Sequence, residues 1–490
     1  MPPRPLIRTA AARRTCALLL LGLLVAGCAA PVPRPATPFP LQWQQRAVAA
    51  NPASPSDLQG WWHAFNDVQL DALVDRALAN NLDVAQAVER MLATRALLRR
   101  ENSQYLPSLI ARTDDAIDPD AHASYFVAGF DATWEFGFFG RREGSRRQAQ
   151  GAMDASVADL RSARVSLVAE VVRNWIELRT AQKQEKLLSQ ISQAHLRNWQ
   201  LLAIRQRLQL AAPAEVDRAH AASAAADAAL AEPRQAITAS AQKLAVLIGQ
   251  NQPDAAWLVP GAQPQLGDFA LVAAPVDLLR TRPEIARAQA DVLTSAGDLA
   301  LTHADMFPSI GLGSSLVWAA TINHTSHRSK TPGGIFSVGP LLNIPLVDWG
   351  MRIAATHAKT HELQATVLAY RQAVLQGITE VQTALDTLQQ QQLREQANVS
   401  AWQATQRVNL AVQSRVQLHL NSPLDQIESE MATDQAEAQL VNARAEHSLA
   451  YVALFKALGG APLPSEADLR ASASASASPQ GAGAGAEKLR

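Results

Sequence analysis

The chain lacks the residues that would staple or catalyse. Its 490 residues include two cysteines, Cys16 and Cys28. If Cys16 leaves with a leader, no internal disulfide can form. Net charge is zero, with 44 basic against 44 acidic residues, which argues against a nucleic-acid partner. After Cys28 no stretch approaches about 18 uninterrupted apolar residues, so no transmembrane helix is expected. There is no phosphate loop, no Gly-x-Ser-x-Gly elbow and no zinc-spaced cysteine set. Neither catalysis nor a cofactor is expected.

What is present begins with an export signal. Arg4, Arg8, Arg13 and Arg14 precede a short apolar run from Cys16 to Val25, too short to span a bilayer. It ends in Leu24-Val25-Ala26-Gly27-Cys28, which resembles a bacterial lipobox. That resemblance implies cleavage before Cys28 and acylation of its thiol. Ala29 in the next position, in place of Asp, implies sorting to the outer membrane. Buried acyl methylenes, worth roughly 0.8 kcal/mol each, would anchor the chain without a spanning helix.

The rest is said nearly twice. Pro107-Ser108 recurs as Pro308-Ser309, 201 residues on. Gly140 and Gly350 stand 210 apart, as do Gly249 and Gly459. Arg205, Leu208, Leu210 and Pro213 keep that offset with Arg415, Leu418, Leu420 and Pro423. The offset changes once, by nine residues, between the Pro-Ser pair and the first glycine. The economical place for that loss is near residues 118–122, although the strand expected over 109–117 is weakly patterned. Such self-similarity points to a repeated structural unit rather than one active site. Each unit reads as helix, hairpin, very long helix, tight turn, helix. The boundaries are a signal over 1–27, a lipidated linker over 28–60, repeat 1 over 61–255, a linker over 256–274, repeat 2 over 275–462 and a low-complexity tail over 463–490.

No proline interrupts Arg141 to Leu210 or Met351 to Leu420. Seventy residues at ~1.5 Å each predict helices of roughly 105 Å, which need neighbours along their whole length. Val157, Leu160, Leu167, Val168, Val171, Trp175 and Leu178 mark one helical stripe on the first of them. Each hairpin, over about 108–139 and 309–348, alternates with period two. Phe126, Phe130, Trp134 and Phe136 oppose Gly129, Asp131 and Thr133. Ile310, Leu312, Leu316 and Trp318 oppose Gly311, Gly313 and Ser315, and Phe336, Val338, Leu342 and Ile344 oppose Ser337, Gly339 and Asn343. A soluble sandwich would show the same alternation, but outer-membrane targeting favours a lipid-facing barrel. Four strands cannot close in lipid, where unpaired amides cost several kcal/mol each. The barrel must be shared, and three chains would give twelve strands.

Trp61-Trp62, Tyr105-Leu106-Pro107-Ser108, Phe139-Gly140-Arg141, Leu279 to Ile285, Pro345 to Gly350 and Leu454 to Gly460 carry a family resemblance. In this order they resemble the TolC/OprM-type outer-membrane factors, in their NodT-like lipoprotein branch. The resemblance covers 61–462. It implies a mainly α fold with membrane β: a homotrimeric 12-stranded β-barrel continued by a 12-helix α-barrel. It further implies the exit channel of a tripartite efflux pump for small toxic compounds. A periplasmic adaptor and an inner-membrane transporter of RND or similar type would be its partners. A duct for type I protein secretion is the first alternative; a poreless periplasmic rod or adaptor is the second.

The turns at Leu208–Pro213 and Leu418–Pro423 would form the periplasmic tip. Family members usually carry glycine just before this turn; here Gln209 and His419 stand there, with Pro213 and Pro423 after it, so the resemblance leaves the fine tip geometry open. Asp425 and Glu428 share a helix face after the second turn. The resemblance places Asp425 at a commonly acidic position and Glu428 where an aspartate lines the closed aperture. Threefold symmetry would make each a ring able to narrow the pore and hold cations. Acids there also suit a helix N-terminus with no further role. Arg205 and Arg415 are candidate latch partners for these acids or for Glu215. His357 and His361 are four apart, but Ala358 replaces the glutamate a metalloprotease needs, so they are expected to be exposed histidines.

Overall fold

The structure is a computed structural model, and it describes residues 58–116, 125–267, 282–321 and 333–462. The leader, Cys28, the 118–122 loop, Leu278–Arg280 and the tail lie outside them. The described chain divides into two compact units. One holds residues 90–157 and 286–373; the other holds 58–89, 158–285 and 374–462.

After a 3-10 turn at Trp61–Phe65 come α1 (Val68–Asn80) and α2 (Leu82–Ser103), then strands β1 (Ser108–Ala116) and β2 (Tyr125–Glu135). The first long helix is α3 (Arg141–Arg207), followed by α4 (Pro213–Ala228), α5 (Ala231–Leu247) and the short α6 (Ala255–Leu258). The second half runs α7 (Pro283–Ala304), β3 (Ser309–Thr321), β4 (Gly333–Asn343), α8 (Met351–Gln417) and α9 (Pro423–Ala457). Helices α3 and α8 each have 67 residues, and both start and end 210 residues apart. At ~1.5 Å per residue each is about 100 Å long. Helices α2 and α7 each have 22 residues and start 201 apart.

Local chemistry explains where the helices break. Pro283 opens α7, where its missing N–H costs nothing. The first two helices are divided at Asn81. The Asn81 carboxamide oxygen accepts the N–H groups of Asp83 and Val84 at 2.9 and 3.0 Å. Its amide donates to the Leu247 carbonyl at 2.9 Å, fixing the start of α2 against the end of α5. The return helix of the first half is also split, into α4 and α5, while α9 runs unbroken for 35 residues. Pro233 is the cause. It cannot donate to Ala229, and its ring crowds that carbonyl. The corresponding residue of α9 is Ala443.

In the unit containing the N-terminal turn, Trp61 is 2% exposed and stacks on Phe455, with centroids 5.5 Å apart. Its indole donates to the Gly460 carbonyl at 3.1 Å, and Tyr451 donates to the Trp61 carbonyl at 3.1 Å. Trp61-Trp62 thus clamps the start of the fold to its end. Of the helical stripe, Leu160, Leu167, Val168, Val171, Trp175 and Leu178 are buried, and Val157 at its start is half-buried. Buried Arg179 lies over Trp175 at 4.2 Å and donates to the Val259 carbonyl and to Gln69, each at 2.7 Å. Burial lowers its pKa, yet a guanidinium this well partnered stays charged. Arg282, also buried, donates to the Gly377 carbonyl at 3.1 Å and pairs with Glu380. It docks the start of α7 on α8.

One ion pair recurs in both halves. Glu185 accepts from Arg234 at 2.8 Å between α3 and α5. Glu395 accepts from Arg444 at 3.3 Å between α8 and α9. Both partners are shifted by 210. Glu395 also pairs with His447 at 2.8 Å. The hydrogen bond to His447, then the charges of His447 and Arg444, hold the Glu395 pKa below the ordinary carboxylate value. A depressed carboxylate pKa stabilises the fold above the unfolded value of ~4.3 and loses that effect as pH falls through the folded one. Glu395→Gln is expected to lower thermal stability in detergent at pH 7 by about 0.5–1 kcal/mol. The difference from wild type should shrink on acidification below pH ~4, and a difference that persists there would contradict this assignment.

Candidate membrane sheet and helical tips

The unit with residues 90–157 and 286–373 contains a four-stranded antiparallel sheet in the order β1-β2-β3-β4. Register fixes which side chains share a face. Thr133 lies opposite Gly313, and Gly313 opposite Gly339. Because side chains alternate, odd residues of β2, β3 and β4 share one face with even residues of β1. That face carries Ser108, Arg112, Asp131, Thr133, Ser315, Ser337 and Asn343, with Ile110, Val317 and Leu341 among them. The other carries Phe130, Trp134, Leu312, Leu316, Trp318, Phe336, Val338 and Leu342. Among these, Phe130, Trp134, Leu312, Trp318, Phe336, Val338 and Leu342 are at least 38% exposed. A soluble chain does not leave so contiguous an apolar face in water. Trp318 and Phe130 pack edge-to-face within it, 6.3 Å apart. On the polar face Arg112 pairs with Asp131 at 2.9 Å, and Ser315 meets Ser337 at 3.3 Å.

Below the sheet, α3 and α7 approach closely. A Cβ on Gly151 would lie 2.8 Å from the Ala290 carbonyl oxygen, and one on Gly297 2.5 Å from the Gln148 nitrogen. Only glycine permits this spacing. Arg141 at the base of β2 pairs with Asp305 at 2.6 Å.

Both long helices end alike. Gln209 has φ 61° and His419 φ 60°, in the left-handed region that glycine favours. Leu210 N–H donates to the Arg205 carbonyl at 2.7 Å, and Gln209 N–H to Gln206 at 2.9 Å. Leu420 and His419 repeat this on Arg415 and Val416, at 2.8 and 2.9 Å. This is the Schellman arrangement. Gln209 and His419 thus adopt the conformation that glycine favours, at a cost in backbone strain. It also ends α3 and α8 three residues short of Leu210 and Leu420. Pro213 and Pro423 open the following helices.

Asp425 is committed at one such start. Its carboxylate accepts Ser422 N–H at 2.8 Å, and the Ser422 hydroxyl accepts Asp425 N–H at 3.2 Å. The bond from the Ser422 main chain, then its hydroxyl, lowers the Asp425 pKa, with a smaller pull from the Arg415 charge. Glu215 holds the matching position in the first half and accepts Ala212 N–H at 3.4 Å. Glu428 lies exposed one turn beyond Asp425. Arg205 and Arg415 are exposed, and among the described residues neither forms an ion pair with Glu215, Asp425 or Glu428. His357 and His361 are exposed, and no cluster of three or more metal-ligating side chains occurs among the described residues.

A sheet with one continuous apolar face suits a membrane-facing role. Residues 73–250 and 274–460 match the family described as outer membrane efflux protein. The chain belongs to this family. Nodulation protein T of Rhizobium leguminosarum bv. trifolii is 26% identical over 90% of this chain and 95% of its own length. The pyoverdine export outer membrane protein OpmQ of Pseudomonas aeruginosa is 28% identical over 86% and 91%. The solved outer-membrane channel OprN superposes with a TM-score of 0.74 at 26% identity, covering 89% of this chain and 99% of that one. The efflux protein described here is accordingly an outer-membrane efflux channel component, and the rod reading falls.

The residues that sequence reasoning passed over were the paired Glu185–Arg234 and Glu395–Arg444 bridges. The 210-residue offset was the signal for them. Leu316→Lys, mid-strand on the apolar face, is expected to cost about 2–4 kcal/mol and to deplete the protein from outer membranes. Ser315→Lys on the polar face should not; equal depletion by both would refute the facial assignment. Gln209→Gly and His419→Gly should each raise stability by about 0.5–1 kcal/mol, read as a higher unfolding temperature.

Proposed function

We propose that this efflux protein is the exit duct of a tripartite pump that expels small toxic compounds, working as a lipid-anchored homotrimer. The sheet carries this reading. Four strands leave β1 and β4 as open edges, and in lipid those edges demand partners. Three copies would close twelve strands, and their long helices would continue the tube into the periplasm. Apolar residues along α8 support shared packing: Leu368, Leu375, Leu393, Val408 and Leu410 are each more than half exposed in one chain. The matched lengths, registers, left-handed residues and ion pairs of the halves support an internal duplication of the helix–hairpin–helix unit. The lipobox supports an acyl anchor at Cys28.

The duct itself supplies no energy; an inner-membrane transporter, joined by a periplasmic adaptor, would do so. Glu428 is the stronger gate candidate, because its carboxylate is not committed to a cap. Asp425 would contribute its ring charge from the capped position. Arg205 and Arg415 are free to latch acids of neighbouring copies at the tip.

Deletion of the gene should sensitise the host to small toxic compounds, and the intact gene should restore resistance. Unchanged susceptibility with loss of a secreted protein would favour type I secretion instead. In planar bilayers, trimers carrying Asp425→Ala and Glu428→Ala should conduct more than wild type; unchanged conductance would sink the gate assignment.

A further inference from the structure

The two open edges of the sheet can be matched residue by residue, because the β2–β3 junction is a template for them. Residues of β2 and β4 correspond at an offset of 210, and those of β1 and β3 at 201. The hairpins obey this: Ser108 faces Thr133 as Ser309 faces Asn343. Across the junction Thr133 faces Gly313. Carried by the same offsets, that pair becomes Asn343 opposite Arg112 of the partner subunit. We propose that β4 of one copy pairs antiparallel with β1 of a second copy in this register, with Trp349 seated on Leu106 of the partner subunit. The proposal rests on the trimeric reading above and specifies its seam.

Hydrogen-bond direction agrees. Phe136 N–H donates to the Ile310 carbonyl at 3.2 Å, so even residues of β2 and β3 turn their main chains toward each other. By correspondence, even residues of β4 and odd residues of β1 hold the free edge groups. The matching bond runs from Leu346 N–H to the carbonyl of Leu109 of the partner subunit. Leu346 and Leu109 are 85% and 70% exposed within one chain. Asn343 and the partner's Arg112 then form a non-hydrogen-bonded pair, the closer kind. Both also lie on the polar face. A slip of one residue would break both the face and the bonding pattern, so only slips of two compete.

An aromatic contact makes the same point. Phe139 has φ 56° and stacks on Phe307, with centroids 5.1 Å apart and planes 13° apart. Its counterpart Trp349 has φ 54° but is 96% exposed. The counterpart of Phe307 is Leu106, 59% exposed. One chain therefore presents both halves of a contact that it can complete only with another copy, since β1 and β4 lie at opposite edges of its own sheet.

Cysteine pairs test the register in outer membranes oxidised with copper–phenanthroline. Arg112→Cys with Asn343→Cys should give disulfide-linked dimers and trimers that reductant abolishes. Arg112→Cys with Leu341→Cys, or with Pro345→Cys, samples the two-residue slips and should give little. Preferential linkage in either slipped pair overturns the register. No linkage in any pair of a protein still trimeric on native gels overturns the β1–β4 seam while leaving the trimer standing. A wild-type chain that runs as a monomer overturns the trimeric reading itself. Trp349→Ala should lower the dissociation temperature of the SDS-resistant oligomer, and Trp349→Phe should retain it; an unchanged Ala variant removes Trp349 from the seam.

Discussion

Everything in this chain answers to the main-chain amides at the edges of one small sheet. A membrane strand must pair on both sides, because lipid offers no hydrogen bonds. Four strands satisfy three junctions and leave two edges open. A chain built this way cannot be content alone in a bilayer. The exposed apolar residues on α8 repeat the demand in another form, as incomplete packing rather than unpaired amides.

The two halves answer this demand with the same parts tuned differently. Between α3 and α7, glycines at 151 and 297 bring the helices close within the chain. The corresponding α8 residue is His361, so a helix facing it from another copy must stand farther off. In the trimer proposed above, pairing inside the chain and pairing between copies would share a plan but not a spacing.

Much of this was legible in the sequence. Period-two alternation at Phe130, Trp134, Leu316 and Phe336 gave the apolar face of the sheet, because side chains in a strand have no freedom to choose sides. The 210-residue offset named the equal helices. Other features were hidden. Gln209 and His419 gave no sign of left-handed backbone, since neither is glycine; the Schellman bonds impose it. Asn81 looked like one more polar residue on a helix until its side chain was seen capping α2. Asp425 invited a gate role, and only the distances to Ser422 showed that its carboxylate also serves the helix start. The strand over 108–116 was weakly patterned because polar residues occupy both of its faces, yet pairing with β2 holds it in register.

The break at Pro233 gives the two return arms different mechanics. A sideways load on the arm beginning at Pro213 reaches a joint after 16 residues, where the hydrogen-bond ladder is interrupted. The same load on the arm beginning at Pro423 meets a single beam of 35 residues. The first arm can therefore bend at residues 229–230, whereas the second offers no such joint before the Trp61 clamp at its far end.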